Sequence, residues 1–244
     1  MISPRLARRI ATIHKWLGLL VAAQLVVWTA TGLFFAAIHI TDIRGESLVH
    51  PAGHIAPMTA ERIRFSSIDA MKAVAEDRPL EVSLKPLAGE PVYEVRGDIG
   101  SFLVSAETGE VVSIDETRAR ALAQEKWIAQ DAILSAELLE VAPKESGLPG
   151  QAWIVRFKGE GNPALYVSAI NGRVSPPRTD LWRTYDFLWQ LHLMDWGLNE
   201  NFNTPWMVAA AILALSTVLF GIALLVHRFT RGLIRKETDR KSVV

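Results

Sequence analysis

Two long apolar stretches dominate the pattern of the chain, one near each end. The first runs from Ile13 to Ile38 without an acidic residue, and the second runs from Pro205 to Val226. About 20 apolar residues, each rising about 1.5 Å along a helix, cross the roughly 30 Å hydrocarbon core of a bilayer. The pattern therefore predicts a membrane protein with two transmembrane helices.

The middle of the chain has a different pattern, which is typical of a small α+β domain. A short helix is capped by Ser66 or Ser67, and its inward-facing residues are expected to be Ile68, Met71 and Ala75. This helix, and a longer one from Glu116 to about Gln130, each precede short β-rich runs and a turn with glycine. Because this order occurs twice, two tandem helix-plus-antiparallel-sheet repeats are the economical explanation. The β-rich runs are residues 80–86, 91–97 and 100–106, followed by 132–142, 151–158 and 163–170.

The predicted fold class is an α+β membrane protein in which two transmembrane helices flank a periplasmic domain of two tandem repeats. Before the second span, Leu181, Tyr185, Leu188 and His192 share one face of an amphipathic helix. The predicted segments are a basic N-terminus with the first transmembrane helix (1–40), a linker (41–64), the first repeat (65–115), the second repeat (116–178), the amphipathic interfacial helix (179–198), the second transmembrane helix (199–228) and a basic tail (229–244).

The distribution of charge predicts the orientation in the membrane. The chain has 26 basic and 26 acidic residues, but residues 1–15 and 228–241 hold ten basic and only two acidic ones. Because positive residues stay on the cytoplasmic side, we expect both termini in the cytoplasm and the middle in the periplasm of a bacterial inner membrane. The first apolar stretch is then an uncleaved signal anchor. The basic residues flank the spans and contact membrane lipid, so we expect no nucleic-acid partner.

Composition excludes several kinds of chemistry. The chain has no cysteine, which excludes disulfides, thiolate metal sites, iron–sulfur clusters and haem attached through a Cys-x-x-Cys-His motif. The sequence also shows no Ser-His-Asp set, close carboxylate pair, glycine-rich nucleotide loop or flavin motif, so hydrolysis and nicotinamide chemistry lack support.

Histidines stand at both ends of the first apolar stretch, and a helical period places them on one face. One hypothesis is a helix that holds two cofactors by axial histidines, one in each leaflet. The alternative is a pair of interfacial histidines, with glycines that only allow a second helix to pack closely. The predicted stripe is His14, Gly18, Val21, Leu25, Trp28, Gly32, Phe35 and His39.

Four of the six histidines pair by their predicted depth in the membrane. His14 and His227 belong to the cytoplasmic surface, and His39 and His192 belong to the outer one. Two imidazoles at each surface are what bis-histidine haem iron requires, and noncovalent b-type haem needs no cysteine. Imidazole also binds zinc and copper, although the apolar surroundings of His14 and His227 favour a macrocycle.

The other polar candidates have simpler explanations. His50 and His54 are spaced four apart, but a proline and a glycine between them disfavour a helical ligand pair, so we expect a solvated loop. Within the first span, Gln24 and Thr31 are expected to form hydrogen bonds to a helix rather than to bind a substrate.

These features together resemble the PepSY-associated transmembrane family, over nearly the whole chain. The segments that carry the resemblance are Ile13-His14-Lys15-Trp16-Leu17-Gly18, Thr29-Ala30-Thr31-Gly32, the turns Thr108-Gly109-Glu110-Val111 and Asn171-Gly172-Arg173-Val174, the segment Tyr185-Asp186-Phe187-Leu188-Trp189-Gln190-Leu191-His192, and the closing span that ends at His227.

The resemblance implies an inner-membrane protein with a periplasmic PepSY region, similar to larger ferric-siderophore reductases that hold two haems with histidines. It also implies that His14, His39, His192 and His227 are the ligands of haem b iron. Those relatives have four spans where this chain has two, so we expect a homodimer or a partner membrane subunit to complete the bundle.

Two functions follow from these expectations. The first is electron transfer from a cytoplasmic donor, through haem, to a ferric or other acceptor in the periplasm, as a ferric reductase-like oxidoreductase or an electron-transfer subunit. The second is a membrane-anchored periplasmic binding or regulatory module without cofactor, which docks on a peptidase or a membrane complex.

Overall fold

The computed structural model describes residues 4–51, 58–74, 79–98, 100–129, 132–195 and 204–241, with side chains except at residues 4, 79–80 and 231–241. The helices are α1 (Pro4–Ala37), α2 (Ile40–Ile43), α3 (Ser67–Ala73), α4 (Glu116–Lys126), α5 (Asp180–Leu193) and α6 (Pro205–Lys241), and the strands are β1 (Pro79–Leu87), β2 (Glu90–Gly97), β3 (Gly100–Ser105), β4 (Val111–Val112), β5 (Ile133–Leu139), β6 (Ala152–Phe157) and β7 (Ala164–Ser168). Short 3₁₀ turns cover Glu46–Leu48, Ala60–Arg62 and Lys144–Ser146.

The chain divides into two compact units. The helical unit consists of Met1–Ala37 and Asp186–Val244, and the α+β unit consists of Ile38–Tyr185. The helical unit therefore contains α1, α6 and most of α5, whereas the α+β unit contains all seven strands.

The helical unit confirms the two predicted apolar helices. Arg5–Ala37 and Pro205–Thr230 are long and apolar enough to cross a membrane, and only 6% and 0% of their most apolar windows are buried within the protein. Leu19 is 65% exposed and Leu33 is 69% exposed. The core helix of a soluble protein would have its apolar side chains covered by other elements, so a bilayer is the medium that suits these two helices.

Helices α1 and α6 pack against each other as an antiparallel pair, because His14 lies at Gly221, whereas Trp28, later in α1, lines the same cavity as Trp206, earlier in α6. The covered face of α1 differs from the predicted stripe. Leu25 was predicted on that face but is 49% exposed, whereas Thr31 is only 3% exposed. The covered positions recur about every 3.5 residues rather than every 3.6, which rotates the face slowly along the helix. They include His14, Leu17, Val21, Gln24, Trp28, Thr31 and Phe35.

The predicted place of His39 at the end of this stripe is wrong. Helix α1 ends at Ala37, and His39 has an extended backbone (φ −67°, ψ 135°) as the residue that precedes α2. Its side chain is exposed, and it belongs to the α+β unit rather than to the helical one.

The α+β unit contains two antiparallel sheets with the strand orders β1-β2-β3-β4 and β5-β6-β7. Helix α3 precedes the first sheet and α4 precedes the second, as predicted. Ser66 caps α3 in a reciprocal capping box with Asp69, and Asp115 caps α4 by accepting from the Arg118 amide. The six predicted β-rich runs are confirmed as strands, with boundaries that shift by a few residues.

Two helix predictions need correction. Helix α4 ends at Lys126 rather than near Gln130 because Trp127 takes an extended backbone, pairs with Val49 and enters the core. On α3, Ile68 was predicted to face inward but is 56% exposed, while Ala70 is buried at 1%.

One core joins the two sheets. Leu103 from the first sheet, Leu122 from α4 and Leu165 from the second sheet belong to the same buried cluster. Within it, the rings of Trp127 and Phe157 stack at 4.3 Å and 12°. A smaller cluster lies beneath α3 and consists of Ala70, Tyr93, Val95, Val104 and Ala106. The shared core makes the α+β unit a single packed body rather than two independent repeats.

Candidate functional site: the histidines of the helical unit

His192 is held on the surface of α1 by aromatic rings. Helix α5 is amphipathic as predicted and brings the His192 ring to within 5.5 Å of the Phe35 ring and 6.3 Å of the Trp28 ring, measured between centroids. Trp189, one helical turn earlier, lies nearly parallel to the imidazole at 6.4 Å. These contacts fix the orientation of the imidazole and surround it with apolar groups.

The hydrogen bonds around His192 favour one tautomer of a neutral imidazole. Its Nδ1 lies 2.7 Å from the Thr31 hydroxyl oxygen. That hydroxyl already has backbone acceptors, the carbonyl oxygens of Val27 at 2.8 Å and Trp28 at 3.2 Å. Because the hydroxyl proton goes to the backbone, the Thr31 oxygen accepts from Nδ1–H of the neutral ring. The other nitrogen, Nε2, then keeps its lone pair.

The backbone at His192 is anchored as well. The indole nitrogen of Trp28 donates a 2.8 Å hydrogen bond to the carbonyl oxygen of His192, near the end of α5 where carbonyls lack helical partners. Thr31 and Trp28 thus fix both the ring and the main chain. A histidine whose Nδ1–H is held in this way presents Nε2 as a ligand atom.

His14 lies in the contact between α1 and α6. A Cβ atom at Gly221 would come 3.2 Å from Cε1 of the imidazole, so the ring packs over the bare backbone of this glycine. Its Nδ1 is buried and has no hydrogen-bond partner in the described part of the chain. Buried polar atoms are nearly always paired, so an orphaned ring nitrogen marks a place where a partner is missing.

His227 has the same property. Its Nε2 is buried and unpartnered among the described residues. However, His14 packs at Gly221, six residues before His227, and this distance along α6 corresponds to a rise of about 9 Å. The structure does not show these two imidazoles as a facing pair.

The other two described histidines lie in the α+β unit. His39 is in the α+β unit, and the backbone of His50 pairs with Lys126 through a 2.9 Å hydrogen bond. His54 lies outside the described residues. Among the residues that are described, no three or more histidine, aspartate or glutamate side chains form a group that could hold a metal ion.

The donor set fits a haem better than a bare metal ion. His14, His192 and His227 each offer a ring nitrogen, and a zinc site would instead require three or four converging ligands. Haem iron takes only one or two protein nitrogens, because the macrocycle supplies four others. Each of these histidines has a ring nitrogen that could serve as such a ligand.

The α+β unit contains a buried charged group that the sequence pattern did not predict. The carboxylate of Glu94 accepts hydrogen bonds from Lys85 at 2.6 Å, Ser101 at 2.8 Å and Asn171 at 3.2 Å. Burial alone raises the pKa of Glu94, but these hydrogen bonds outweigh it and hold the pKa below its ordinary value. Since Lys85 also donates to the Asn171 carbonyl, this network joins the first sheet to the turn after β7.

A second network surrounds Glu145. Its carboxylate accepts from Arg183 at 3.1 Å and from the hydroxyl of Tyr166. Burial, followed by this bond to a carboxylate, raises the pKa of Tyr166 to about 12. The pKa of Glu145 is raised by burial but lowered more strongly by its hydrogen bonds, so the net shift is downward. All these groups are mutually paired, which indicates a structural role.

Comparison with known proteins identifies one part of the chain. Residues 68–115, which contain nearly all of α3 and the whole first sheet, match the PepSY family, described as peptidase propeptide and YPEB domain. No curated protein and no solved structure matches the chain. The match covers about a fifth of the sequence. It supports a PepSY domain between two apolar helices, and the finer resemblance to a haem-containing membrane family stays a prediction.

Proposed function

We propose that this protein is a two-span inner-membrane PepSY protein that binds b-type haem through its membrane histidines and passes electrons across the membrane. The observation that carries the proposal is the hydrogen bonding of the His192 imidazole. Its Nδ1 lies 2.7 Å from the Thr31 hydroxyl oxygen, and in a neutral ring that donates to this oxygen the lone pair is on Nε2. The unpartnered nitrogens of His14 and His227 support the same chemistry.

The proposed roles differ between the histidines. His192 is the ligand at the outer surface, and Thr31 and Trp28 are its positioning residues. His14 and His227 are ligands at the cytoplasmic surface, and His39 is the fourth candidate. Because two helices alone poorly enclose two haems, we propose that a second copy or a partner membrane subunit completes the bundle.

Haem bound at these positions would supply a one-electron carrier in each leaflet. The chain contributes ligands, fixed ring orientation and a dry environment. Phe35, Trp28 and Trp189 exclude water around His192, and the lipid-facing side chains of α1 and α6 do so around His14. The route runs from a cytoplasmic donor to a ferric or other acceptor beside the acidic PepSY region in the periplasm, where negative charge favours a cationic acceptor.

The test is the optical spectrum of the purified full-length protein from haem-replete cells. We expect a reduced-minus-oxidised b-type spectrum and a haem-to-protein ratio that His192→Ala and His14→Ala each lower. The matched control is His50→Ala, which removes a histidine outside the helical unit and should leave the spectrum unchanged. A colourless wild-type protein, or equal loss in the His50→Ala control, would contradict haem binding.

The PepSY match itself favours a second candidate function. A PepSY domain tethered by two helices would act as a binding or regulatory module for a peptidase or a membrane complex. On the second sheet, Leu134 and Leu138 of β5 are 64% and 43% exposed, and Val141 beyond the strand is 78% exposed. A photo-crosslinker at Leu138 should then give an adduct with one peptidase or membrane subunit, whereas a crosslinker at the exposed Glu116 on α4 should not.

A further inference from the structure

The helical unit contains a cavity that none of the histidines lines. Its volume is about 510 Å³, within the range typical of small-molecule sites. It lies between α1 and α6, with Met194 from the segment after α5 at one side. The lining residues are Leu20, Val21, Ala23, Gln24, Val27, Trp28, Met194, Trp206, Ala209, Ala210, Leu213 and Ala214.

Gln24 is a polar residue among the mostly apolar residues that line the cavity. Nε2 of the Gln24 side chain is buried and has no hydrogen-bond partner among the described residues. An amide in hydrocarbon without a partner costs free energy, since the bilayer core offers no water to replace the bond. The cavity therefore lacks a hydrogen-bond acceptor beside Gln24.

The depth of Gln24 restricts what this acceptor can be. Gln24 lies ten residues after His14 and thirteen before the end of α1, which corresponds to about 15 Å and about 20 Å along the helix. It is thus near the middle of the span. Phospholipids carry their ester carbonyls near the membrane surfaces, so an acyl chain could fill the cavity but could not satisfy Gln24.

The shape of the wall favours a flat ring. The indoles of Trp28 and Trp206 provide aromatic surface, while Ala209, Ala210 and Ala214 leave the α6 side free of bulky side chains. Aromatic side chains stack on planar rings with offset or edge geometry. A ligand for this cavity is therefore apolar, planar and equipped with a carbonyl oxygen.

We propose that this cavity binds a membrane-soluble quinone, whose ring carbonyl accepts a hydrogen bond from Nε2 of Gln24. The isoprenoid tail of such a molecule is soluble in the bilayer, and its ring carries the acceptor that lipids lack at this depth. Trp28 contacts both the cavity and the His192 ring, so the ligand would lie next to the proposed haem ligand. Quinone binding itself does not require haem.

The test measures binding of decylubiquinone to the full-length protein in nanodiscs, by equilibrium dialysis against empty nanodiscs. We expect about one bound quinone per chain above the background of the lipid. Gln24→Met keeps the length of the side chain but removes the donor, and should weaken binding about tenfold, as loss of one buried hydrogen bond predicts. Infrared spectroscopy should show the carbonyl stretch of the bound quinone lowered in the wild type and not in this variant.

A matched pair of variants tests the location. Ala210→Phe fills the cavity and should abolish binding, whereas Ala211→Phe adds the same ring to the exposed neighbouring position outside the cavity and should not change it. Decylbenzene, which has a ring and tail but no carbonyl, should bind more weakly and show no difference between wild type and Gln24→Met. The proposal is overturned if the wild type binds no more quinone than empty nanodiscs, if Gln24→Met binds equally well, or if Ala211→Phe blocks binding as strongly as Ala210→Phe. It is also overturned if Gln24→Met changes only the oligomeric state. None of these outcomes depends on the haem spectrum.

Discussion

The two units differ in how completely their buried polar groups are hydrogen-bonded. In the α+β unit, the buried carboxylate of Glu94 and the hydroxyl of Tyr166 are both paired. Among the described residues, the three buried side-chain nitrogens without a partner all lie on α1 and α6, at His14, Gln24 and His227. Among the described residues, the buried nitrogens that lack a partner are therefore confined to the helical unit.

The exposed fraction of apolar side chains also differs between the two units. In the α+β unit leucines such as Leu103 are enclosed at 1% exposure, whereas on α1 leucines such as Leu19 are 65% exposed. The same residue type is therefore enclosed by other residues in one unit and exposed on the helix surface in the other. Substitutions that are chemically identical should have different consequences in the two units.

The largest effect is expected for Leu103→Ala. This change leaves a cavity in the shared core and should lower the free energy of unfolding of the α+β unit by about 3 kcal/mol. Leu19→Ala is the matched change on the lipid-facing surface and should alter that unit by less than about 0.5 kcal/mol. Hydrogen exchange of the full-length protein in detergent, read on peptides from β2 and β3, measures both. An equal loss of unfolding free energy in Leu103→Ala and Leu19→Ala would contradict this difference between the enclosed and the exposed leucines.

Gly172→Ala should have the next largest effect. The backbone φ of Gly172 is +70°, and a Cβ there would lie 2.6 Å from the buried Leu87 side chain. We expect a loss of about 2 kcal/mol from backbone strain and crowding together. Gly89→Ala has the same kind of backbone, with φ +78° and open space around the Cβ, and should lose about 1 kcal/mol.

Thermal unfolding of the full-length protein gives the difference between these two glycine variants. If both variants melt at the same temperature, crowding between the added Cβ at position 172 and the Leu87 side chain does not contribute to the loss of stability.

Glu94→Gln tests the buried network and its pH dependence. Because the pKa of Glu94 is lowered on folding, its charge stabilises the folded state above the ordinary value of 4.5, and this contribution is lost as pH falls through the folded pKa. We expect the variant to be less stable than the wild type by about 1.5 kcal/mol at pH 7, with the difference disappearing in acid below pH 4.5.

The control for Glu94 is Glu81→Gln in the same sheet. Glu81 forms a 3.0 Å pair with Arg96 in which both side chains are more than half exposed, and such pairs contribute little. Urea unfolding across pH 3 to 7 compares the two variants. A constant difference between Glu94→Gln and the wild type over this range would show that the charge of Glu94 has no role.

The smallest effect is expected for Thr31→Val. The substitution removes the acceptor for Nδ1–H of His192 at nearly constant volume and should weaken the packing of α5 on α1 by about 1 kcal/mol. Nitrogen NMR of the imidazole should show that the Nδ1–H tautomer is no longer enforced. Thr12→Val is the control, because Thr12 makes the same hydrogen bond to the carbonyl four residues earlier but is exposed. An unchanged tautomer in Thr31→Val would contradict the assignment of Nε2 as the free nitrogen.

The sequence by itself determined the two apolar helices, the alternation of helices and strands between them, and their caps and turns. These features depend on local patterns: the length of an apolar run, the period of alternation, a serine or aspartate before a helix, and a glycine in a tight turn. Each can be recognised within about 20 residues, and each was found where it was predicted, apart from shifts at the ends of elements.

Only the tertiary structure determined which helix faces pack together and which side-chain atoms form hydrogen bonds. Thr31 and His192 are 161 residues apart, and no local period reveals that they form a hydrogen bond or which imidazole nitrogen it leaves free. The same holds for the end of α1 before His39, for the rotation that covers Thr31 instead of Leu25, and for the isolation of Gln24 in an apolar cavity. Side-chain partners are chosen by how helices pack, and packing depends on the shapes of both surfaces together.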